Sequence, residues 1–132
     1  MAVAVEVRNI TKELGRKLIL DDVSFQVQKG EIFGIIGMSG SGKSTLLQQL
    51  IGFQLPDEGK IMYCPAYSYQ SKTGPFLKNV HQNSMEVKQL FGFAPQNPSF
   101  YPRLTVEENI LHFGSLYHLK KNFIRASVRA QG

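Results

Sequence analysis

Gly37-Met38-Ser39-Gly40-Ser41-Gly42-Lys43-Ser44-Thr45 is the stretch that decides the fold. It satisfies the spacing G-x-x-x-x-G-K-[ST] of a phosphate-binding loop. Gly37, Gly40 and Gly42 let the backbone curl until successive N–H groups point inward, a shape that side chains would block. Met38, Ser39 and Ser41 fill the positions between them and contribute backbone donors. A helix starting near Gly42 adds its positive end to those donors. Lys43 is placed to bridge the outer two phosphates of a nucleotide. The Ser44 hydroxyl is placed to ligate Mg²⁺, and Thr45 to reach the innermost phosphate. From average residue frequencies the four fixed positions match by chance about three times in 10⁵. The match is therefore unlikely to be an accident of a glycine-rich turn.

The surroundings have the order this loop requires. Ile32-Phe33-Gly34-Ile35-Ile36 precedes it, a continuous apolar run of strand length that suits a strand buried on both faces of a parallel sheet. Ser44–Ile51 follows as a helix, with Gly52 as its stop. Further out, Val3, Val5 and Val7 alternate with Ala4 and Glu6, and Val23, Phe25 and Val27 alternate with polar residues. Both read as strands of period two. Leu14-Gly15-Arg16-Lys17 reads as the turn between them, and Lys29-Gly30 closes the second. Pro56-Asp57-Glu58-Gly59 is a turn before a short strand, Lys60–Tyr63. Residues 64–84 are polar, lack periodicity and read as a long loop or partly ordered insertion. Phe91–Ala94 reads as a strand ended by Pro95. Thr105 and Glu108 form a capping box that opens a helix with Ile110, Phe113 and Tyr117 on one face. From Lys120 the pattern is basic and helical.

The composition leaves few other classes open. The chain has 132 residues, 42% of them hydrophobic and 19% charged, which suits one globular domain and excludes disorder and collagen-like repeats. Its single cysteine, Cys64, has no partner for an internal bridge and fits a reducing compartment. No apolar run reaches the roughly 18 residues of a spanning helix, and the start carries no signal-peptide pattern. Six basic and seven acidic residues lie in 1–59, nine and three in 60–132. The basic excess is scattered, forms no dense run and reads as a solvated face. No direct nucleic-acid partner is expected.

Three features beyond the loop resemble an ATP-binding cassette (ABC) ATPase. Leu20-Asp21-Asp22-Val23-Ser24-Phe25-Gln26-Val27-Gln28-Lys29-Gly30-Glu31 is similar to the family's lead-in strand and its K-G-E turn. The loop itself, continued by Leu46, matches the family's own version. Phe91-Gly92-Phe93-Ala94-Pro95-Gln96, followed by Leu104-Thr105-Val106-Glu107-Glu108-Asn109-Ile110, resembles the Q-loop and the helix after it. Glu31–Gly34 and Phe113–Tyr117 look most like exporter ATPases. The resemblance implies ATP and Mg²⁺ as ligands. It makes Lys43 and Gln96 catalytic, with Ser44 and Gln96 on the metal and Gln96 oriented toward the attacking water. Leu14 stands where the family places an aromatic residue against adenine, so an apolar contact replaces stacking. It also implies a transmembrane transporter subunit and a second ATP-binding domain as partners, at the cytoplasmic face of a membrane.

The fold class expected is α/β: a P-loop NTPase sheet with an N-terminal antiparallel β subdomain, truncated before the signature motif and the Walker B strand. Residues 1–60 would form the β subdomain, phosphate loop and helix, 61–90 a strand and a long insertion, and 91–132 the Q-loop and the start of a helical subdomain. No Leu-Ser-Gly-Gly-Gln occurs. The only apolar run into paired carboxylates, Leu18-Ile19-Leu20-Asp21-Asp22, precedes the loop and so cannot be the acidic strand that follows it in the family. His81, His112 and His118 come too early for the switch histidine. The function expected is that of the ATP-binding subunit of an ABC transporter, in a fragment inactive alone, with exposed apolar sheet surface. The alternatives are a soluble, non-transport ABC ATPase, a P-loop kinase and a non-enzymatic remnant.

Overall fold

The computed structural model describes residues 2–131. They divide into two compact units, the first ending at Gly92 and the second beginning at Phe93. A long hairpin frames the first. β1 (Val3–Leu14) and β2 (Lys17–Gln28) run antiparallel, joined by the turn at Gly15-Arg16. β3 (Glu58–Tyr63) pairs with the other side of β1, and the two-residue β4 (Lys78–Asn79) with β3, giving the order β2-β1-β3-β4. This is the antiparallel N-terminal sheet anticipated above. Val7 pairs with Phe25 on one side and Ile61 on the other. Val7, Ile10, Leu20, Ile61 and Tyr63 are buried, and α1 (Lys43–Leu50) adds Leu46 to the same core.

Of the paired aspartates, Asp22 has a structural task. The β1–β2 register shifts near the middle of the hairpin, where Asn9 and Asp22 take positive φ of 51° and 49°. Short polar side chains tolerate that conformation by bonding locally. Asn9 Nδ2 donates to Asp22 Oδ1 at 2.8 Å, and the Asn9 N–H donates to Ser24 Oγ at 2.8 Å. Across the sheet, Gly59 (φ 84°) lies so close to this irregularity that a Cβ would stand 2.2 Å from the Asn9 carbonyl oxygen.

Of the two readings of residues 64–84, the structure shows an ordered insertion and not a long loop. A 3₁₀ turn at Ala66–Gln70, β4, a second 3₁₀ turn at Val80–Gln82 and α2 (Ser84–Leu90) order them. Val80 and Val87 are fully buried in the sheet's core, two apolar residues too far apart to show as periodicity. Glu86 on α2 gathers the rest. Tyr63 Oη donates to it at 2.6 Å, Tyr67 Oη at 3.1 Å and Lys78 Nζ at 3.2 Å. The hydrogen bond from Tyr63, followed by those from Lys78 and Tyr67, holds the Glu86 carboxyl below the usual carboxylate range. Burial, with the Glu86 contact second, pushes the Tyr63 phenol up.

Two expected strands do not form. Ile32–Ile36 and Phe91–Ala94 carry no strand pairing. A strand needs at least one hydrogen-bonded neighbour, and the four strands among the described residues pair only with one another. Phe33 instead stacks on Phe25 at 4.9 Å, and Ile35 rests partly buried on the core. Ile32 and Ile36 stand 100% and 99% exposed. The apolar surface anticipated above is present, on an irregular segment rather than on a sheet.

The second unit is helical. α3 (Val106–Ser115) opens with the expected capping box: the Glu108 N–H donates to Thr105 Oγ1 at 3.1 Å, and Thr105 N–H to Glu108 Oε1 at 3.4 Å. The helix ends at Ser115, so Tyr117 lies beyond the face it was expected to share. α4 (Lys121–Gln131) packs Ile124, buried, against Gly114. Arg125 Nε donates to Glu107 Oε1 at 3.1 Å.

Two predictions follow from this packing. Gln49 on α1 is fully buried, and neither its Oε1 nor its Nε2 has a partner among the described residues. Gln49→Leu should raise stability by about 1–2 kcal/mol, read as a higher urea midpoint at unchanged slope. Glu86 has a folded pKa below its unfolded one, so its stabilisation is complete above the ordinary carboxylate range and is lost as pH falls through the lowered value. Glu86→Gln should therefore cost most at neutral pH, and the gap to wild type should close as the medium is acidified below about pH 4.

Candidate nucleotide-binding site

The phosphate loop hangs between the irregular apolar segment and α1. Gly42 is the N-cap of α1 with φ 98° and no side-chain cap, and no acidic residue occupies the first turn. The helix's first N–H groups and its positive end are thus left for an external anion. The first helical bond runs from the Leu46 N–H to the Gly42 carbonyl at 2.9 Å. Gly42 also packs against β2: a Cβ there would meet the Ile19 carbonyl oxygen and Cγ2, each at 2.9 Å. Only glycine fits both the conformation and the gap.

Lys43 turns back across the loop. Its Nζ donates to the Gly37 carbonyl, to the Met38 carbonyl at 2.9 Å and to Ser41 Oγ at 3.3 Å. The Ser41 N–H donates to the Met38 carbonyl at 3.1 Å, closing a tight turn. A Cβ on Gly37 would stand 2.5 Å from Ser41 Oγ. The ammonium acts as a strut that fixes the curvature of the loop and holds a positive charge at its mouth. Sequence spacing singles out Lys43; its carbonyl partners become visible only once the loop is folded.

Gly37, Met38, Ser39, Gly40, Ser41, Gly42, Lys43, Ser44 and Thr45 therefore form one continuous feature. Ser39, Ser41 and Ser44 are exposed and Thr45 is half-buried. Leu14 lies further along the hairpin that Gly42 touches, paired with Lys17 and 44% exposed. Gln96 belongs to the second unit, exposed in the irregular segment between Pro95 and Pro98. The uncapped helix end and the exposed Ser44 hydroxyl suit a phosphate chain with its divalent cation. Among the described residues, no three His, Cys, Asp or Glu side chains gather as a metal cluster, so this donor set offers a cation a hydroxyl beside the phosphate oxygens.

This is part of the architecture of an ATP-binding domain of the P-loop class. A family model described as ABC transporter matches residues 20–131. The chain belongs to that family. It is 33% identical over 125 residues to the Nod factor export ATP-binding protein I of Burkholderia lata, covering 95% of this chain and 37% of that protein. It is 33% identical over 115 residues to the linearmycin resistance ATP-binding protein LnrL of Bacillus subtilis, covering 87% of this chain and 33% of that one. A solved ATP-binding subunit of an ABC transporter superposes with a TM-score of 0.67 at 28% identity, over 89% of this chain and 44% of its own. CbiO1 of Clostridium perfringens superposes over 98% of this chain and 49% of its own, with a TM-score of 0.73 at 20% identity, a likeness of fold. The chain thus spans well under half the length of the curated relatives it matches.

The contact between Gly42 and β2 yields a test. Gly42→Ala forces a Cβ into a left-handed residue against a backbone oxygen, at a cost of about 2 kcal/mol or more. The expected result is loss of triphosphate binding together with a lowered unfolding midpoint. Gly40→Ala, whose Cβ would meet nothing within 4 Å, should lower the midpoint less.

Proposed function

We propose that this chain is the nucleotide-binding part of an ABC transporter ATPase subunit, coupling ATP binding and hydrolysis to transport in the whole protein. The observation that carries the reading is the uncapped glycine start of α1 with Lys43 braced across the loop before it. Backbone N–H groups from Gly40 to Thr45 would hold the phosphates, and Lys43 would neutralise charge on the outermost. Ser44 and Gln96 would hold Mg²⁺, which when bound offsets charge between the outer phosphates. Gln96 would also orient the attacking water, and Leu14 would lie against the adenine ring.

The whole protein would work with a transmembrane subunit and a second ATP-binding domain at the cytoplasmic face of a membrane. Among the described residues, no helix is long and apolar enough to cross one. The names of the two relatives, one for export and one for resistance, support an outward direction of transport. Further residues of the whole protein would cover Ile32 and Ile36.

ATP titration of the 132-residue chain tests this reading. Binding is expected, and Lys43→Ala should weaken it about tenfold or more, which corresponds to about 1.4 kcal/mol. Equal affinity in the two proteins would overturn the role of the loop. Efficient ATP turnover by the chain alone, lost in Lys43→Ala, would overturn the assignment of a fragment inactive by itself.

A further inference from the structure

We infer that Asn109 is a positioning residue for the segment that carries Gln96; the inference rests on the role of Gln96 proposed above. One carboxamide fixes the end of that segment from both sides. Asn109 Oδ1 accepts from the Tyr101 N–H at 2.7 Å, while Nδ2 donates to the Tyr101 carbonyl at 3.1 Å. The same Nδ2 also donates to the Leu104 carbonyl at 3.3 Å and the Thr105 carbonyl at 2.9 Å. Tyr101 is thus tied to α3 through both of its backbone polar groups.

Its ring adds a second hold. It stacks on Phe113 at 6.0 Å with an interplanar angle of 18° and meets His112 edge-on at 5.1 Å. The capping box holds the first turn of α3, from which Asn109 reaches back. Only a carboxamide supplies an acceptor and two donors at this reach. Aspartate keeps the acceptor for the Tyr101 N–H and loses both N–H donors that the three carbonyls share; alanine loses everything.

Four residues separate Gln96 from Tyr101, and Pro98 among them has its φ fixed. A short, stiffened segment leaving an anchored post has few ways to place its far end. Asn109 would therefore act through Gln96 and not on the nucleotide directly.

The test is a double-mutant cycle read on the Mg²⁺ dependence of ATP binding. ATP is titrated with Mg²⁺ and with EDTA into wild type, Asn109→Ala, Gln96→Ala and the double variant. The ratio of the two affinities is the readout. Asn109→Ala should lower that ratio about threefold or more while leaving binding in EDTA unchanged. The double variant should match Gln96→Ala. Asn109→Asp, which retains the Tyr101 N–H contact and guards against a variant that fails to fold, should fall between wild type and alanine. Faster hydrogen exchange at the Tyr101 amide should follow the same order.

Equal weakening with and without Mg²⁺, or additive effects of the two substitutions, would overturn the inference and leave the nucleotide site standing. A wild-type ratio of one, with binding still dependent on Lys43, would overturn it as well. Absence of any ATP binding would remove the proposed function and this inference with it.

Discussion

The approach of Gly42 to the Ile19 carbonyl, too close for a Cβ, constrains where the loop ends and α1 begins. β2 can present that carbonyl only because it is held in the hairpin by the Val7, Ile10 and Leu20 core. α1 in turn delivers Leu46 to the same core, three residues after Lys43. Loop curvature, helix start and sheet packing are therefore one constraint. A residue with a Cβ at position 42 would strain all three, which is why the glycine spacing of the motif carries structural as well as chemical information.

The sequence was most legible where a local rule was sufficient. The capping box at Thr105 and Glu108 needs only its own four residues, and it forms. The turn at Gly15-Arg16 and the alternation of Val23, Phe25 and Val27 are likewise local, and both mark the hairpin. The phosphate loop is legible because its spacing encodes the backbone shape directly. Its internal bracing by Lys43 was not, since the acceptors are main-chain carbonyls that no residue type announces.

Legibility failed where order comes from distant partners. Residues 64–84 look irregular because Val80 enters the apolar core alone, without periodic apolar neighbours among the described residues, with Val87 following on α2, while Tyr67 and Lys78 are organised through Glu86. A cluster of Tyr63, Tyr67, Lys78 and Glu86 has no periodicity to detect. Asn109 escaped notice for a related reason. Its value lies in four hydrogen bonds to backbone that is folded back upon it, whereas its neighbours in sequence show only an ordinary helix start.

The Ile32–Ile36 run shows the opposite error and why it arises. Apolar continuity reports that a segment has water excluded from both faces in the assembly it belongs to; it does not report which residues do the excluding. In this chain the hydrogen-bonding edges that a parallel strand needs find no partner among the described strands, so the run keeps its apolar content without strand structure. Phe33 and Ile35 find partial shelter on Phe25 and the core, while Ile32 and Ile36 face outward. The loop at the end of this run still closes, because Gly42 and Lys43 draw their supports from β2 and from the loop's own carbonyls. The supports of this turn thus come from β2 and from the loop's own carbonyls, not from a strand before it.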